Sequence, residues 1–273
     1  MKLVVATRLH LGRALSPPSD ESIKNVLIHL KRIADDRSMV EEYRVEVVVA
    51  VDATPKFEHF DYVEAVQSWL NSFDNTGRSE SNIHLLPVTP WGNFVPALNS
   101  LVLYAKNELN SDLIMFMSAE VNLSSSTVRT LCRHVTENEN VIVAGAAMNG
   151  HQYHAASTAR DGSHREVPLT GRTTPWNTLC VWSLEKLSLI GFAAVSDLGK
   201  SAGVEECAAI ALLQKLFPKS EARLVKVDDI EWDKTFDLDD ERKKWHDEKM
   251  KSKIIRPKRQ LDLLQLSGTV VHC

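Results

Sequence analysis

The stretch YRVEVVVAV, residues 43–51, decides how the rest of the chain is read. Its last five residues, Val47–Val51, are apolar without alternation, and LIMFM at residues 113–117 repeats that pattern. A strand with one wet face alternates polar and apolar side chains. An unbroken apolar run of strand length marks a strand buried on both faces, as in the interior of a parallel sheet. Outward from these two runs, Lys2–Thr7, Asn82–Val88 and Val141–Ala147 read as further strands. The segments between them have helical periodicity. Asp20–Asp36 carries Ile23, Val26, Leu27, Leu30 and Ile33 on one face, behind the start signal Ser16-Pro-Pro-Ser-Asp. Phe60–Phe73, Asn93–Leu109 and Ser124–Val135, the last opened by a serine cap, complete the set. Strands alternating with helices require crossover connections. The expected fold is therefore α/β: a mostly parallel central sheet with helices on both faces, in a single domain over residues 1–228.

Composition agrees with a packed domain. Of 273 residues, 44% are hydrophobic and 25% charged, enough for a large core and unlike a disordered or collagenous chain. The formal net charge of −4 argues against general nucleic-acid binding. No apolar run approaches the ~20 residues that span a bilayer, and the first residues lack a signal-peptide pattern. Four distant cysteines, Cys132, Cys180, Cys207 and Cys273, form no zinc or disulfide pattern, so a reduced, cytoplasmic protein is expected.

The regular alternation stops near Gly150. Residues 150–177 hold three His, three Arg and little periodicity, and a long irregular insert in a compact domain is more often functional than decorative. Thr178–Ser183 reads as a strand, Glu185–Ile190 as a helical turn and Gly203–Phe217 as a helix, with Ala222–Val227 expected to close the sheet. Residues 229–273 read as a charged C-terminal extension. Eight acids lie in residues 228–241 and nine bases in residues 242–259, among them Lys249, Lys251, Lys253, Arg256, Lys258 and Arg259. A solvated tail is the plain interpretation; a basic arm folding over a polyanion such as a diphosphate is the sharper one.

Open parallel sheets bind ligands beyond the carboxyl ends of their strands. The residues there are Thr7 and Arg8 after the first strand, Asp52-Ala53-Thr54 after the second, Thr89-Pro90-Trp91-Gly92 after the third and Ser118-Ala119-Glu120 after the fourth. Thr7, Arg8, Asp52 and Glu120 are expected to line one cleft. The chain has no GxGxxG, no GxxxxGK[ST] and no GxSxG, so dinucleotide, P-loop and α/β-hydrolase signatures are missing. His151 and His154, with His164 nearby, lack a third ligand at readable spacing and suggest a surface or acceptor-lining pair more than a metal cluster.

These phrases, in this order, resemble the family 2 glycosyltransferases, which have the GT-A nucleotide-diphospho-sugar transferase fold. The quoted residues are Val51-Asp52-Ala53-Thr54, Trp91-Gly92-Asn93, Ala97-Leu98-Asn99, the strand ending Ser118-Ala119-Glu120, Leu189-Ile190-Gly191-Phe192 and Gly203-Val204-Glu205-Glu206. The chain departs from the family pattern at Ala53 and Ser118, where the family has acids. The resemblance implies a sugar transfer from a nucleotide-diphosphate sugar to a hydroxyl acceptor. It places Glu206, with Glu205, in the catalytic position, Glu206 being the base. Thr7, Arg8, Asp52 and Asn99 would contact the donor, Arg8 through a phosphate. Glu120 would hold Mg²⁺ or Mn²⁺ on the diphosphate. Trp91 and Trp176 are acceptor candidates, Trp176 by stacking on a sugar face. Two other functions compete: a non-catalytic GT-A-like binding module, favoured by Ala53 and Ser118, and a nucleotidyltransferase, disfavoured by the single Gly12 in Ala6–Arg13.

Overall fold

The computed structural model describes residues 1–12, 14–74, 82–154, 165–232 and 252–273. His164, Lys249, Lys251 and most of the acidic run lie outside the described residues. A nine-stranded sheet forms the centre, with β1 (Lys2–Leu9), β2 (Arg44–Asp52), β3 (Ile83–Val88), β4 (Leu113–Met117), β6 (Val141–Ala146), β7 (Arg165–Pro168), β8 (Leu179–Ser183), β9 (Glu221–Val225) and β11 (Thr269–His272). Their spatial order is β3-β2-β1-β4-β8-β6-β9-β11-β7. A separate two-stranded ribbon pairs β5 (Val121–Leu123) with β10 (Ile230–Trp232).

Both decisive runs are inner strands, and every residue of Val47–Val51 and Leu113–Met117 is buried. Their side chains divide between two cores. Val47, Val49, Val51, Leu113, Met115 and Met117 point to one, and Val48, Ala50, Ile114 and Phe116 to the other. That two-sided burial is why the sequence shows no alternation. The first core is covered by α1 (Asp20–Ala34), α3 (Tyr62–Asp74) and α5 (Ser125–Thr136), with the short α2 (Arg37–Val40) beside them. The second is covered by α4 (Val95–Asn107), α6 (Leu184–Leu187) and α7 (Glu206–Leu216).

Local chemistry sets the helix starts. Ser19 and Ser124 accept hydrogen bonds from the backbone of Ser22 and Thr127, at 3.3 and 3.4 Å, and so cap α1 and α5. The first turn of α4 has no cap of its own. The carboxylate of Asp197, in a 3₁₀ turn about a hundred residues later, accepts from the amides of Asn93, Phe94 and Val95 instead. The anion-favouring end of α4 is thus filled by a residue of the chain itself.

The structure differs from the sequence expectation at the far side of the sheet. Leu179–Ser183 is antiparallel to both β4 and β6. Ala222–Val227 does not close the sheet: β11 pairs parallel with β9, and β7 pairs antiparallel with β11. Residues 252–273 are accordingly built into the fold. Helix α8 (Ile255–Leu264) packs on α7 and on the 3₁₀ turns, and β11 is a sheet strand. The β-branched run Thr269-Val270-Val271 after Gly268 was its only sequence signal.

Candidate active site

Asn177 lies two residues before β8, and this residue organises the site. Its backbone N–H donates to Glu206 Oε1, and its side-chain amide donates to Glu205 Oε1 at 3.3 Å. Its carbonyl oxygen Oδ1 accepts from Trp182 Nε1 at 3.0 Å and from the Cys180 thiol at 3.2 Å. Asn177 is only 3% exposed, and its backbone N–H and both polar atoms of its side chain are bonded within the protein. The preceding strand end is tied to the same place, since the amide of Ser118 donates to Thr178 O at 2.9 Å.

The two acids arrive from the other side. Gly203 and Val204 both have left-handed backbones, with φ of 94° and 60°. A β-branched residue there is strained, by about 1–3 kcal/mol, and such strain is concentrated at functional turns. The turn delivers Glu205 and Glu206 to the start of α7, each only 4% exposed. Burial, and then the neighbouring Glu205, push the Glu206 carboxyl up to about 8, against the bonds from the backbone amides and the attraction of Lys253. Glu206 Oε2 is buried and has no hydrogen-bond partner among the described residues. A carboxyl oxygen in that state is costly unless a ligand satisfies it.

Two cations act on these acids. Lys253, itself 8% exposed, places its ammonium over the Trp176 ring and lowers the proton affinity of Glu206. Arg256 donates to Ala202 O at 3.0 Å; burial lowers its pKa, while Glu205 and Glu206 oppose that shift. Burial holds the Cys180 thiol well above its ordinary value, and Arg8 at the end of β1 is near enough to pull it partly back. Gln260 fixes the geometry from α8. It is fully buried, donates to Ser201 O and Gly203 O at 2.6 and 2.8 Å, and accepts from Ser196 Oγ at 3.1 Å.

The other expected site residues divide between the sheet rim and the packing. Thr7, Arg8, Asp52 and Glu120 all stand at carboxyl ends of the parallel strands β1, β2 and β4. Thr7 is 1% exposed and donates to Met117 O at 2.8 Å, joining β1 to β4. Asp52 accepts from the amide of Thr54 at 3.0 Å and faces the buried Tyr62, whose phenol is pushed up to about 12 by burial and then by Asp52. Asn99 is fully engaged with Phe192, accepting from its amide at 2.7 Å and donating to its carbonyl at 3.1 Å. Trp91 is buried with its ring 5.8 Å from His10. Trp176 is buried too: its indole N–H donates to Gly171 O at 2.8 Å and its ring stacks on His151 at 3.6 Å.

His151 is not a surface group. Its Nδ1 accepts from Met148 N at 2.8 Å and its Nε2 lies 2.9 Å from Thr174 O, which fixes the neutral tautomer. Burial, then Lys253, bring its pKa down to about 3. His154 is held through its backbone, which donates to His272 Nδ1 at 2.9 Å.

Glu120 lines a cavity of about 280 Å³ with Asn25, His29, Arg32 and Asn122, against α1. A divalent cation is bound by oxygen ligands, commonly one or two carboxylates together with phosphates and water. At the end of β4 the position of a second acid is Ser118, and the Arg32 guanidinium, bonded to Asn122 Oδ1 at 2.9 Å, borders the Glu120 cavity. Among the described residues no three His, Cys, Asp or Glu side chains converge. Glu120 is the one carboxylate lining that cavity, enough for a cation shared with a ligand's phosphates but not for one held by protein side chains alone.

The sequence reading did not single out Gln260, and met Asn177 only as the end of an irregular insert; Lys253 and Arg256 it named within a run of bases, read as a solvated tail or as a basic arm over a polyanion. Among the described residues no helix is long and apolar enough to cross a membrane.

No protein-family model and no curated protein matches the sequence. Solved structures do match in fold. A mannosyltransferase from Pyrobaculum calidifontis, in complex with GDP-Man and Mn²⁺, aligns with a TM-score of 0.53 and 14% identity over 79% of this chain and 52% of its own. GalNAc-T7, with UDP, GalNAc and Mn²⁺, aligns with a TM-score of 0.53 and 9% identity over 79% of this chain and 41% of its own. The chain thus spans about half the length of these neighbours or less, and at such identity the likeness is one of fold. The architecture is that of the GT-A glycosyltransferases, a single α/β domain with a mostly parallel sheet.

Proposed function

We propose that this protein is a glycosyltransferase that moves a sugar from a nucleotide-diphosphate sugar to a hydroxyl acceptor, with Glu206 as the general base. One observation carries the reading: the buried, unpartnered Oε2 of Glu206, at the start of α7 and fixed by Asn177 through Oε1. In transfer, the acceptor hydroxyl gives its proton to Oε2 as its oxygen bonds to the anomeric carbon, and the bond from that carbon to the diphosphate oxygen breaks. A base whose proton affinity is raised toward neutrality suits that step. The Asn177 amide and the Gly203-Val204 turn hold the carboxylate in place, so little reorganisation accompanies proton transfer. The GT-A fold and the order of the sequence phrases support a family 2-like enzyme. The near-complete burial of Glu206 favours a second reading, a donor-binding module without turnover.

The test is incubation of the protein with nucleotide-diphosphate sugars and a panel of hydroxyl acceptors, with products read by mass spectrometry. A mass increase of one sugar on an acceptor supports the transferase. Donor binding without any transfer supports the module, and no affinity for any donor overturns both.

A further inference from the structure

Residues 200–203 lead into the left-handed pair Gly203-Val204, and that pair delivers Glu205 and Glu206. Side chains of α8 donate to the carbonyls of all four of these residues. Arg259 reaches Lys200 O at 3.4 Å, and Arg256 reaches Ala202 O at 3.0 Å. The two N–H bonds of the Gln260 amide take the other two, Ser201 O at 2.6 Å and Gly203 O at 2.8 Å. Arg256 and Gln260 stand one helical turn apart, so one face of α8 holds the backbone that ends at the acids.

The same amide also closes a loop. Its oxygen accepts from Ser196 Oγ at 3.1 Å, and the amide of Gly203 donates to Ser196 O at 2.8 Å. Ser196, Ser201 and Gln260 are all buried. Beside Ser196, Asp197 accepts from the amides of Asn93, Phe94 and Val95 and so caps α4. One uncharged side chain thus ties the turn of the two acids to the segment that holds the start of α4.

Resting on the transferase reading, we propose that Gln260 is a positioning residue for the reaction, holding Glu206 at the reacting centre by fixing the backbone of residues 200–203. Val204, at φ 60°, has a conformation that a β-branched residue avoids, so it persists only where the surroundings over-determine it. Buried carbonyls need donors, and Gln260 supplies two at this turn. An apolar side chain of similar size in its place leaves Ser201 O and Gly203 O without those bonds. The turn then relaxes toward water and carries Glu206 with it. Proton transfer depends steeply on the placement of the base, so turnover falls while donor binding changes little.

Gln260 carries no charge, and the ionisable groups coupled to Glu206 are the same in the wild type and in Gln260→Met. They are Glu205 and Cys207 beside it, Cys180 on β8, and Lys253 and Arg256 from the C-terminal segment. A change in the titration of Glu206 therefore reports a change in its position.

The experiment has two arms, both on the full chain. In the first, unfolding free energies of the wild type and of Gln260→Met are measured from pH 5 to 8, each with and without Glu206→Gln. The gap that Glu206→Gln opens with rising pH should shrink about twofold or more in the Gln260→Met background. In the second arm, with a donor and acceptor that the wild type uses, Gln260→Met should lower kcat about tenfold or more and leave the donor KM within about threefold. The rising limb of its kcat against pH should move down by about one unit, because a base nearer to water ionises earlier. Should Gln260→Met fail to fold, Gln260→Asn, which keeps an amide on a shorter stem, should move every readout in the same direction by a smaller amount. A gap unchanged by the Gln260 variant overturns the proposal, as does a wild-type kcat. Absence of transfer by the wild type overturns the transferase reading instead, and the first arm still decides whether Gln260 places Glu206.

Discussion

Asn177 and Glu206 meet through a backbone N–H and a carboxylate oxygen, so the contact does not depend on the asparagine side chain. The side chain of Asn177 instead holds Glu205 and receives Trp182 and Cys180. Replacing Asn177 by Ala should take one buried partner from each of these three groups, although Trp182 Nε1 still donates to Cys180 Sγ at 3.1 Å. Urea unfolding should show a loss of about 2–4 kcal/mol, while the backbone contact to Glu206 survives.

Glu206 makes stability fall with pH. Its folded pKa of about 8 lies above its ordinary value of 4.5, so between these limits the folded state keeps a proton that the unfolded chain has released. The contribution is fully present below about 4.5 and is lost as pH rises through about 8, with a slope of at most ~1.4 kcal/mol per pH unit. Glu206→Gln has no proton to lose. Unfolding free energies of the wild type and the variant, measured from pH 5 to 8, should diverge in favour of the variant, whereas parallel curves would contradict the assignment.

Asn99 offers a contrast. Both polar ends of its side chain bond to Phe192, and an added Cβ at Gly191 would lie 2.8 Å from Asn99 Oδ1. Asn99→Ala should therefore cost about 1–3 kcal/mol of stability and leave nucleotide affinity within about twofold of the wild type. A tenfold loss of affinity in a stable variant would return Asn99 to the donor site.

The sheet was legible because burial on both faces leaves its mark in the strands themselves, as in Val47–Val51 and Leu113–Met117. Glu205-Glu206 was legible for a related reason, as a local phrase at a helix start. The C-terminal residues were not. Lys253 is buried by Trp176 and Gly171, which are about eighty residues away in sequence, and a run of bases reads as solvated surface whether or not a distant indole covers one of them. Trp176 and Asn99 show contacts that no local phrase carries: the Trp176 indole bonds to Gly171 and stacks on His151, and the Asn99 side chain bonds to Phe192, about ninety residues away.

Gly171→Ala should test how closely the C-terminal segment is bound. The new methyl group meets the Lys253 carbonyl, so either Gly171's turn or the segment must move. Limited proteolysis should cut within residues 252–264 at least tenfold faster than in the wild type, since cleavage follows the population of locally opened states. An unchanged rate would show that the segment is not held there.

The central claim is that Glu206 removes the acceptor proton. Glu206→Gln keeps the shape of the side chain and abolishes its basicity. With a donor that the wild type transfers, the variant should bind that donor within about threefold of the wild-type Kd and turn over ~100-fold more slowly or worse. Transfer by Glu206→Gln at the wild-type rate would contradict the account.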